Sequence, residues 1–382
     1  MNRRTFFATA GASLVAVSGA GAGAFALTRT PSAALAPWDR AGKGTDPRLR
    51  AFGFAILAPN PHNRQPWLIE LIGNDGAMIY CNLNKRLPET DPFDRQITIG
   101  FGCFLELLRL AAADSGYAVT VTPFPDGEPE PRLDQRPIAH VRFRRQADTA
   151  RDPLFGQARR RRSNKEPFDT DRPVAAATLQ QLARAADNTV AIGTTADPEP
   201  VATLRDLTWR AHLLESTTPR TLMESVRLMR IGKAEIEASP DGIDLGGPML
   251  ELLKAVGVLN RDTLADPNST AFAQGLDMYR EIMGTAMAYI WVTTAGNRRV
   301  DQLAAGRAWL RINLQAAALG VALHPVSQTL QEFAEMRPLY DDVHGRLLPS
   351  GQVRVQMLGR LGYGVAVDPS PRWPLDRALR ES

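Results

Sequence analysis

The chain has 382 residues, 44% hydrophobic and 23% charged, with 30 glycines, 28 prolines and two cysteines. That balance excludes a disordered, collagen-like or disulfide-scaffold chain and leaves a globular protein long enough for roughly two to three domain-sized units. The net charge of +4 hints at polyanions, but Arg3, Arg4 and Arg29, with no acid among residues 1–36, hold most of it. The near-neutral remainder gives no basis for a nucleic-acid partner.

In chain order the first segment is an address. Arg3-Arg4 precedes a weakly apolar run, residues 8–27, built mostly from Ala, Gly, Val and Ser. It resembles a twin-arginine export signal more than a lipid-spanning helix, which would carry more Leu, Ile and Phe. Ala34-Leu35-Ala36 offers a small-x-small cleavage site, with an unfavourable Pro37 after it. The expectation is an export signal over residues 1–36, the twin-arginine translocase as a partner during export, and a periplasmic or otherwise exported protein. If the signal is not cleaved, the protein stays tethered to the membrane. No second stretch approaches about 18 uninterrupted apolar residues.

The pattern then predicts a helix over 46–57, ending in the breaker-rich 58–63, and strands over 68–72 and 77–81 joined by a turn. An amphipathic helix over 96–113 follows, then strands at 119–121 and 138–143. Beyond residue 146 the chain begins again. Helices are expected over 152–162 and 175–186, a strand over 189–192 and a mostly helical stretch over 199–237. Apolar-periodic helices are expected over 272–295 and 302–319, followed by a strand at 321–324, a helix near 331 and a last strand at 353–358. Residues 242–269, rich in Gly, Pro and Leu, read as an insertion or lid. The fold class is therefore α+β in two unequal halves, residues 37–150 and 151–382.

Cys81 and Cys103 are too few for an all-cysteine iron–sulfur or zinc site, and whether they pair is open. His62, His140, His212, His324 and His344 form no short-range ligand pair. Three segments can carry chemistry. Pro59-Asn60-Pro61-His62-Asn63-Arg64-Gln65-Pro66-Trp67 offers side-chain amides between φ-fixing prolines, suited to flat polar edges, or it is a helix stop. Arg159 to Lys165 places cations and a hydroxyl where they can hold a phosphate, or stabilise a helix C-terminus. Arg372, between Pro371 and Pro374, can close such a site or lie in a solvated tail.

Together these segments resemble the FMN-dependent nitroreductase superfamily. Residues 59–67 are similar to its P-S-S-x-N-x-Q-P-W stretch, keeping Pro59, Asn63, Gln65, Pro66 and Trp67. Arg161-x-Ser163-x-Lys165, followed by Phe168, looks like its R-x-S-x-[RK] opening. Pro325-Val326-Ser327-Gln328 sits where the family presents backbone amides to the flavin, and Arg372 matches its C-terminal phosphate-binding arginine. The resemblance covers residues 47–380 and implies a nitroreductase-like fold with FMN as cofactor. The FMN-binding residues would be Asn60, Pro61, Asn63, Arg161, Ser163, Lys165, Pro325, Val326, Ser327, Gln328 and Arg372.

In the family the R-x-S-x-[RK] segment precedes N-x-Q-P-W, and two subunits build each site. Here the order is reversed and each half carries one motif. This implies a fused, single-chain pseudo-dimer with one intact flavin site. Asn60-Pro61 replaces two serines, and Ser370 stands where a lysine often lies. Arg205, Arg210 and Lys233 are candidates for facing the flavin pyrimidine. His62 and His324 flank the site and suit packing or hydrogen bonding better than proton donation. The resemblance implies two-electron transfer to a small-molecule substrate, or a flavin-storage or sensing protein without turnover; because NAD(P)H is not expected outside the cytoplasm, turnover would need another donor, such as a quinol or a membrane redox partner.

Overall fold

A computed structural model describes residues 29–146 and 148–380, so the leader-like run over 8–27 lies outside the described residues. The first part begins with helices α1 (Ser32–Arg40) and α2 (Pro47–Ala55), the latter capped by Asp46. Strands β1 (Trp67–Ile72) and β2 (Gly76–Cys81) form a hairpin. Helix α3 (Arg95–Asp114) leads to β3 (Tyr117–Pro123) and β4 (Ala139–Arg145), closing an antiparallel sheet of order β1-β2-β4-β3. Helix α3 is long and apolar enough to cross a membrane by length and composition, but it is 89% buried. Apolar residues all round a helix are what burial on every side requires.

The second part starts with α4 (Ala176–Arg184) and β5 (Ala191–Thr195). Between β5 and the next strand of its sheet lie α5 (Pro198–Thr217), α6 (Pro219–Leu228), β6 (Met229–Ile231), α7 (Lys233–Ala238), β7 (Ile243–Leu245), α8 (Pro248–Ala255), α9 (Arg261–Ala265) and α10 (Thr270–Gly284). Strands β6 and β7 pair in parallel. Then come β8 (Ala288–Thr294), α11 (Arg299–Leu319), β9 (Ala322–Pro325), α12 (Arg337–Leu347) and β10 (Arg354–Gly362). The second sheet, β5-β8-β10-β9, is again antiparallel throughout and repeats the strand order of the first. Each sheet also has its long helix, α3 or α11, between its second and third strands in sequence.

These two helices cross at glycine. A Cβ on Gly102 would run into the Leu303 carbonyl, and one on Gly306 into the Ile99 carbonyl. The first residue of each helix is a buried arginine that reaches away from its own sheet. Arg95 donates to the Leu330 and Gln356 carbonyls at 2.6 and 2.8 Å, and Arg299 to the Pro129 and Pro131 carbonyls at 3.1 and 2.9 Å. One apolar core, including Phe52, Ile79, Phe104, Ile290, Trp309 and Leu361, draws on both sheets.

Several sequence expectations are corrected. Residues 152–162 form only a 3₁₀ turn, Pro153–Gln157, with Leu154 and Ala158 buried in the core and Arg161 turned inward beyond it. The helix expected over 272–295 stops at Gly284, and Ala288–Thr294 is a central strand. Six of its seven residues are buried, so the strand lacks the alternation that would have revealed it, and Trp291 sits on a strand. The helix near 331 is two 3₁₀ turns, Ser327–Leu330 and Ala334–Met336, followed by α12.

After β10 the chain returns to the first sheet. Ile69 donates to the Ala378 carbonyl at 2.7 Å and accepts from the Arg380 amide at 2.8 Å, covering the edge of β1. This return path brings Arg372 to the loop between α2 and β1.

Candidate functional site

That loop is held in an unusual shape. His62, Asn63 and Gln65 have φ of 44°, 51° and 50°, values that cost a side-chain-bearing residue free energy and persist only where the surroundings enforce them. Asn60 enforces them from inside: its carbonyl oxygen accepts from the Gln65 amide at 2.7 Å, and its amide donates to the Ala58 carbonyl at 3.1 Å. Asn60 thus braces the loop, a role its place in a turn explains. A Cβ on Gly100 would crowd both Asn60 and Pro61, so the loop lies directly on α3.

From outside, Gln65 donates to the Pro240 carbonyl at 2.7 Å and accepts from the Trp373 amide at 2.8 Å. Asn63 donates to the Pro371 carbonyl at 3.0 Å and accepts from Arg372 at 2.5 Å. Asp241 adds a charged anchor, 3.2 Å from Arg64, 3.1 Å from Lys85 and 3.2 Å from Arg230. Residues 239–242, leading into the insertion, therefore sit on the loop, and the Gly242 amide donates to the Asn63 carbonyl at 3.3 Å.

At one end of this arrangement two guanidiniums are buried together. Arg161 and Arg372 are 3% and 2% exposed, and both donate to the Leu57 carbonyl, at 3.3 and 3.1 Å. Arg161 Nε and Nη1 and Arg372 Nε have no hydrogen-bond partner among the described residues, and no carboxylate bonds to either group. Burial pushes Arg161 down to about 10, aided by Arg162. It pushes Arg372 down to about 9, aided by Arg161 and Arg162 and opposed by Asp244. Buried cations with no carboxylate bonded to them are costly, Asp244 acting on Arg372 only from a distance, and an anion that binds both removes the cost.

The other end holds a carboxyl that the sequence did not single out. Glu215 of α5 is buried, its Oε1 3.9 Å from His62 Nε2, with the side chains of Gln328 and Gln331 hydrogen-bonding to it. Burial, then the nearby Glu224, raises its pKa to about 7. Burial, then Lys165 and Arg64, pushes His62 down to about 4. Near neutral pH the imidazole is uncharged and the carboxyl half-protonated, so the pair is not a salt bridge. Gln328 Oε1, Thr329 Oγ1 and Gln331 Oε1 are buried without a partner among the described residues.

The remaining candidates divide. Lys165, half-buried, acts electrostatically on His62; Ser163 is half-buried on the same segment. Pro325 ends β9 opposite Gly359, and the Val326 amide donates to the Leu358 carbonyl at 2.9 Å. Val326 therefore has no amide to offer a ligand, leaving Ser327 and Gln328 at the start of their 3₁₀ turn. Arg205 donates to the Ala286 carbonyl at 2.8 Å, Arg210 pairs with Asp206 at 3.4 Å on the surface, and Lys233 lies 4.0 Å from Glu237. His324 accepts from Arg360 at 2.9 Å. Cys81 and Cys103 are free, buried thiols, each pushed up to about 12 by burial.

Glu215 had a sequence signal: it follows Leu204, Leu207 and Ala211 on the buried stripe of α5, where an acid is out of place. Asp241, between Pro240 and Gly242, had none. Among the described residues no group of three or more His, Cys, Asp or Glu stands close enough to hold a metal ion. A concavity of about 640 Å³ beside Phe54, Phe155 and Arg159 includes none of the site residues.

No family model matches the chain. Two uncharacterized proteins of Mycobacterium tuberculosis are each 31% identical over 123 residues, 30% of this chain and 34% of theirs. The match thus spans about a third of the length of these curated relatives. Among solved structures, a nitroreductase with bound FMN from Bacteroides fragilis covers 56% of this chain and 89% of its own, at 14% identity and a TM-score of 0.32. The FMN-dependent nitroreductase NfnB of Mycobacterium smegmatis, in complex with NADPH, covers 58% and 94%, at 18% and 0.34. A nitroreductase-like family protein from Bacillus cereus covers 61% and 98%, at 16% and 0.32. Superpositions this loose fix no function.

Proposed function

We propose that this chain is an exported FMN-dependent oxidoreductase of nitroreductase-like fold, a single-chain counterpart of a dimer with one flavin site between its halves. The observation that carries the reading is the buried pair Arg161 and Arg372, joined at Leu57, bonded to Asn63 and lacking a carboxylate. A phosphate monoester would satisfy the unpartnered guanidinium N–H groups and neutralise both cations. Ser163 and Lys165 extend this end. Asn63 and the backbone near Ser327 and Gln328 would set the ring's position, over the end formed by the side-chain amides of Gln328 and Gln331. FMN bound there would supply two-electron transfer through N5 to a small acceptor. Glu215, next to His62, keeps a dissociable proton at that end near neutral pH.

The pseudo-dimer reading draws on the repeated strand order, the glycine crossing and the reciprocal reach of Arg95 and Arg299, the pattern of an isologous interface. Residues 185–190, between α4 and β5, carry no N-x-Q-P-W, and residues 41–46, before α2, no R-x-S-x-[RK]. One site is therefore expected. The halves are residues 37–150 and 151–382. Outside the cytoplasm NAD(P)H is not expected, so the donor is taken to be a quinol or membrane redox partner.

A second reading, flavin storage or sensing without turnover, is favoured by the segment entering the insertion, which is seated on the loop through Pro240, Asp241 and Gly242. Reduction of the bound flavin by a quinol and its reoxidation by a quinone or nitroaromatic would separate the two. The first test is the visible spectrum of the purified full chain with quantified release of its chromophore. About one FMN per chain is expected; a colourless protein that refuses added FMN would sink the proposal.

A further inference from the structure

We propose that helix α1 is a retained wall of the anion site, and that filling this site with a phosphate monoester and docking α1 are one coupled event. The proposal rests on reading Arg161 and Arg372 as a phosphate site, not on the ring being a flavin.

Helix α1 carries Ala34-Leu35-Ala36, the small-x-small triplet, yet it packs as part of the body. Ala34 and Trp38 are 3% and 5% exposed. The Ala34 carbonyl accepts from the Arg372 amide at 2.8 Å, and Trp38 Nε1 donates to the Ser370 carbonyl at 2.8 Å. The segment 370–372 is thus gripped by α1 on one flank and by Asn63 on the other. The Trp38 ring faces two cations of the site, with the guanidinium carbons of Arg162 and Arg372 at 5.0 and 5.4 Å from its centroid. Indole faces attract guanidinium, and the contact also keeps water from the cations. The start of the segment is tied to α7 and to the insertion, Ala33 to Glu237 at 3.3 Å and Arg29 to Glu251 at 2.9 Å.

Two consequences follow. A cut after Ala36 would separate Ala34, which holds the Arg372 backbone, from Trp38, which covers its side chain; a helical, half-buried peptide cannot enter a protease cleft until α1 undocks. Secondly, α1 fixes Arg372 through its main chain while an anion would fix it through Nε. Each prepares the residue for the other, so each must strengthen the other's binding by the same factor.

The test uses the full chain with FMN, riboflavin as the phosphate-free comparison, and inorganic phosphate. Trp38→Leu is expected to weaken FMN at least tenfold and leave riboflavin unchanged, with Trp38→Phe, which keeps a ring face, in between. Saturating FMN or phosphate is expected to slow protease cutting within residues 29–41 of the wild type at least tenfold. A cooperatively folded Trp38→Leu variant that binds FMN within twofold of wild type, equal cutting rates with and without ligand, or a mature chain beginning at Pro37 would each overturn the proposal. Protection by phosphate without FMN uptake would uphold the wall and remove the flavin reading. A chain binding neither would remove both.

Discussion

Arg161 and Arg372 do different work in the site. Among the described residues the Arg161 guanidinium makes one hydrogen bond, to Leu57, and leaves two groups unpartnered, whereas that of Arg372 also braces Asn63 and the Ala58 and Pro371 carbonyls. Arg161→Met should leave the thermal stability of the flavin-free chain unchanged or raised, because a costly buried cation is replaced by an apolar chain. It should weaken FMN on the order of a hundredfold, about 3 kcal/mol. Arg372→Met should lower both. Thermal unfolding beside a fluorescence titration reads the difference; a destabilised Arg161→Met chain with normal FMN affinity would assign Arg161 to structure.

Glu215 sets a pH dependence. Its folded-state pKa of about 7 lies above the ordinary 4.5, so the folded chain holds the extra proton. The stability this carboxyl contributes is therefore full below pH 4.5 and is lost as pH rises through 7, about 3 kcal/mol in all. His62, lowered from 6.5 to about 4, acts oppositely, its contribution being lost as pH falls from 6.5 to 4. Because His62 is present in both chains, the stability of Glu215→Gln relative to wild type should climb between pH 4.5 and 8. Urea unfolding across that range tests this, and parallel curves would mean that the carboxyl ionises freely.

At the scale of elements, the crossing of α3 and α11 is the most specific demand. A Cβ at Gly102 or Gly306 meets backbone of the facing helix, which cannot swing aside as a side chain would. Gly306→Ala should cost about 3 kcal/mol by forcing the helices apart. Gly156→Ala, where a Cβ meets nothing within 4 Å, should stay within about 0.5 kcal/mol. Denaturant midpoints of the two variants give the comparison, and a Gly306→Ala chain as stable as wild type would mean that the helices are not held at backbone contact.

For the whole molecule, the common core and the crossed arginines tie the two sheets into one cooperative unit. Calorimetry of the flavin-free chain should show a single unfolding transition. Added FMN should move it upward, by about 2.7 kcal/mol at a hundredfold excess over Kd. Two separable transitions would show that the halves fold independently.

What the sequence determined by itself was local. Prolines and asparagines marked the strained loop, the apolar periods of α3 and α11 marked the central helices, and Arg161 stood out within a run of cations and Arg372 as a cation between prolines. These signals survive because each is set by neighbours a few residues away. What only the tertiary structure decided involves groups far apart in the chain. Residues 288–294 became a central strand because burial on both faces erases alternation. Asn60 turned inward to brace the loop, because its neighbours' backbone was nearer than any ligand. Glu215 met His62 across 153 positions, and Trp38 reached Arg372 only because the chain's last segment returns to β1. Spacing along a chain carries no information about such encounters; the order in which sheets close and helices cross creates them.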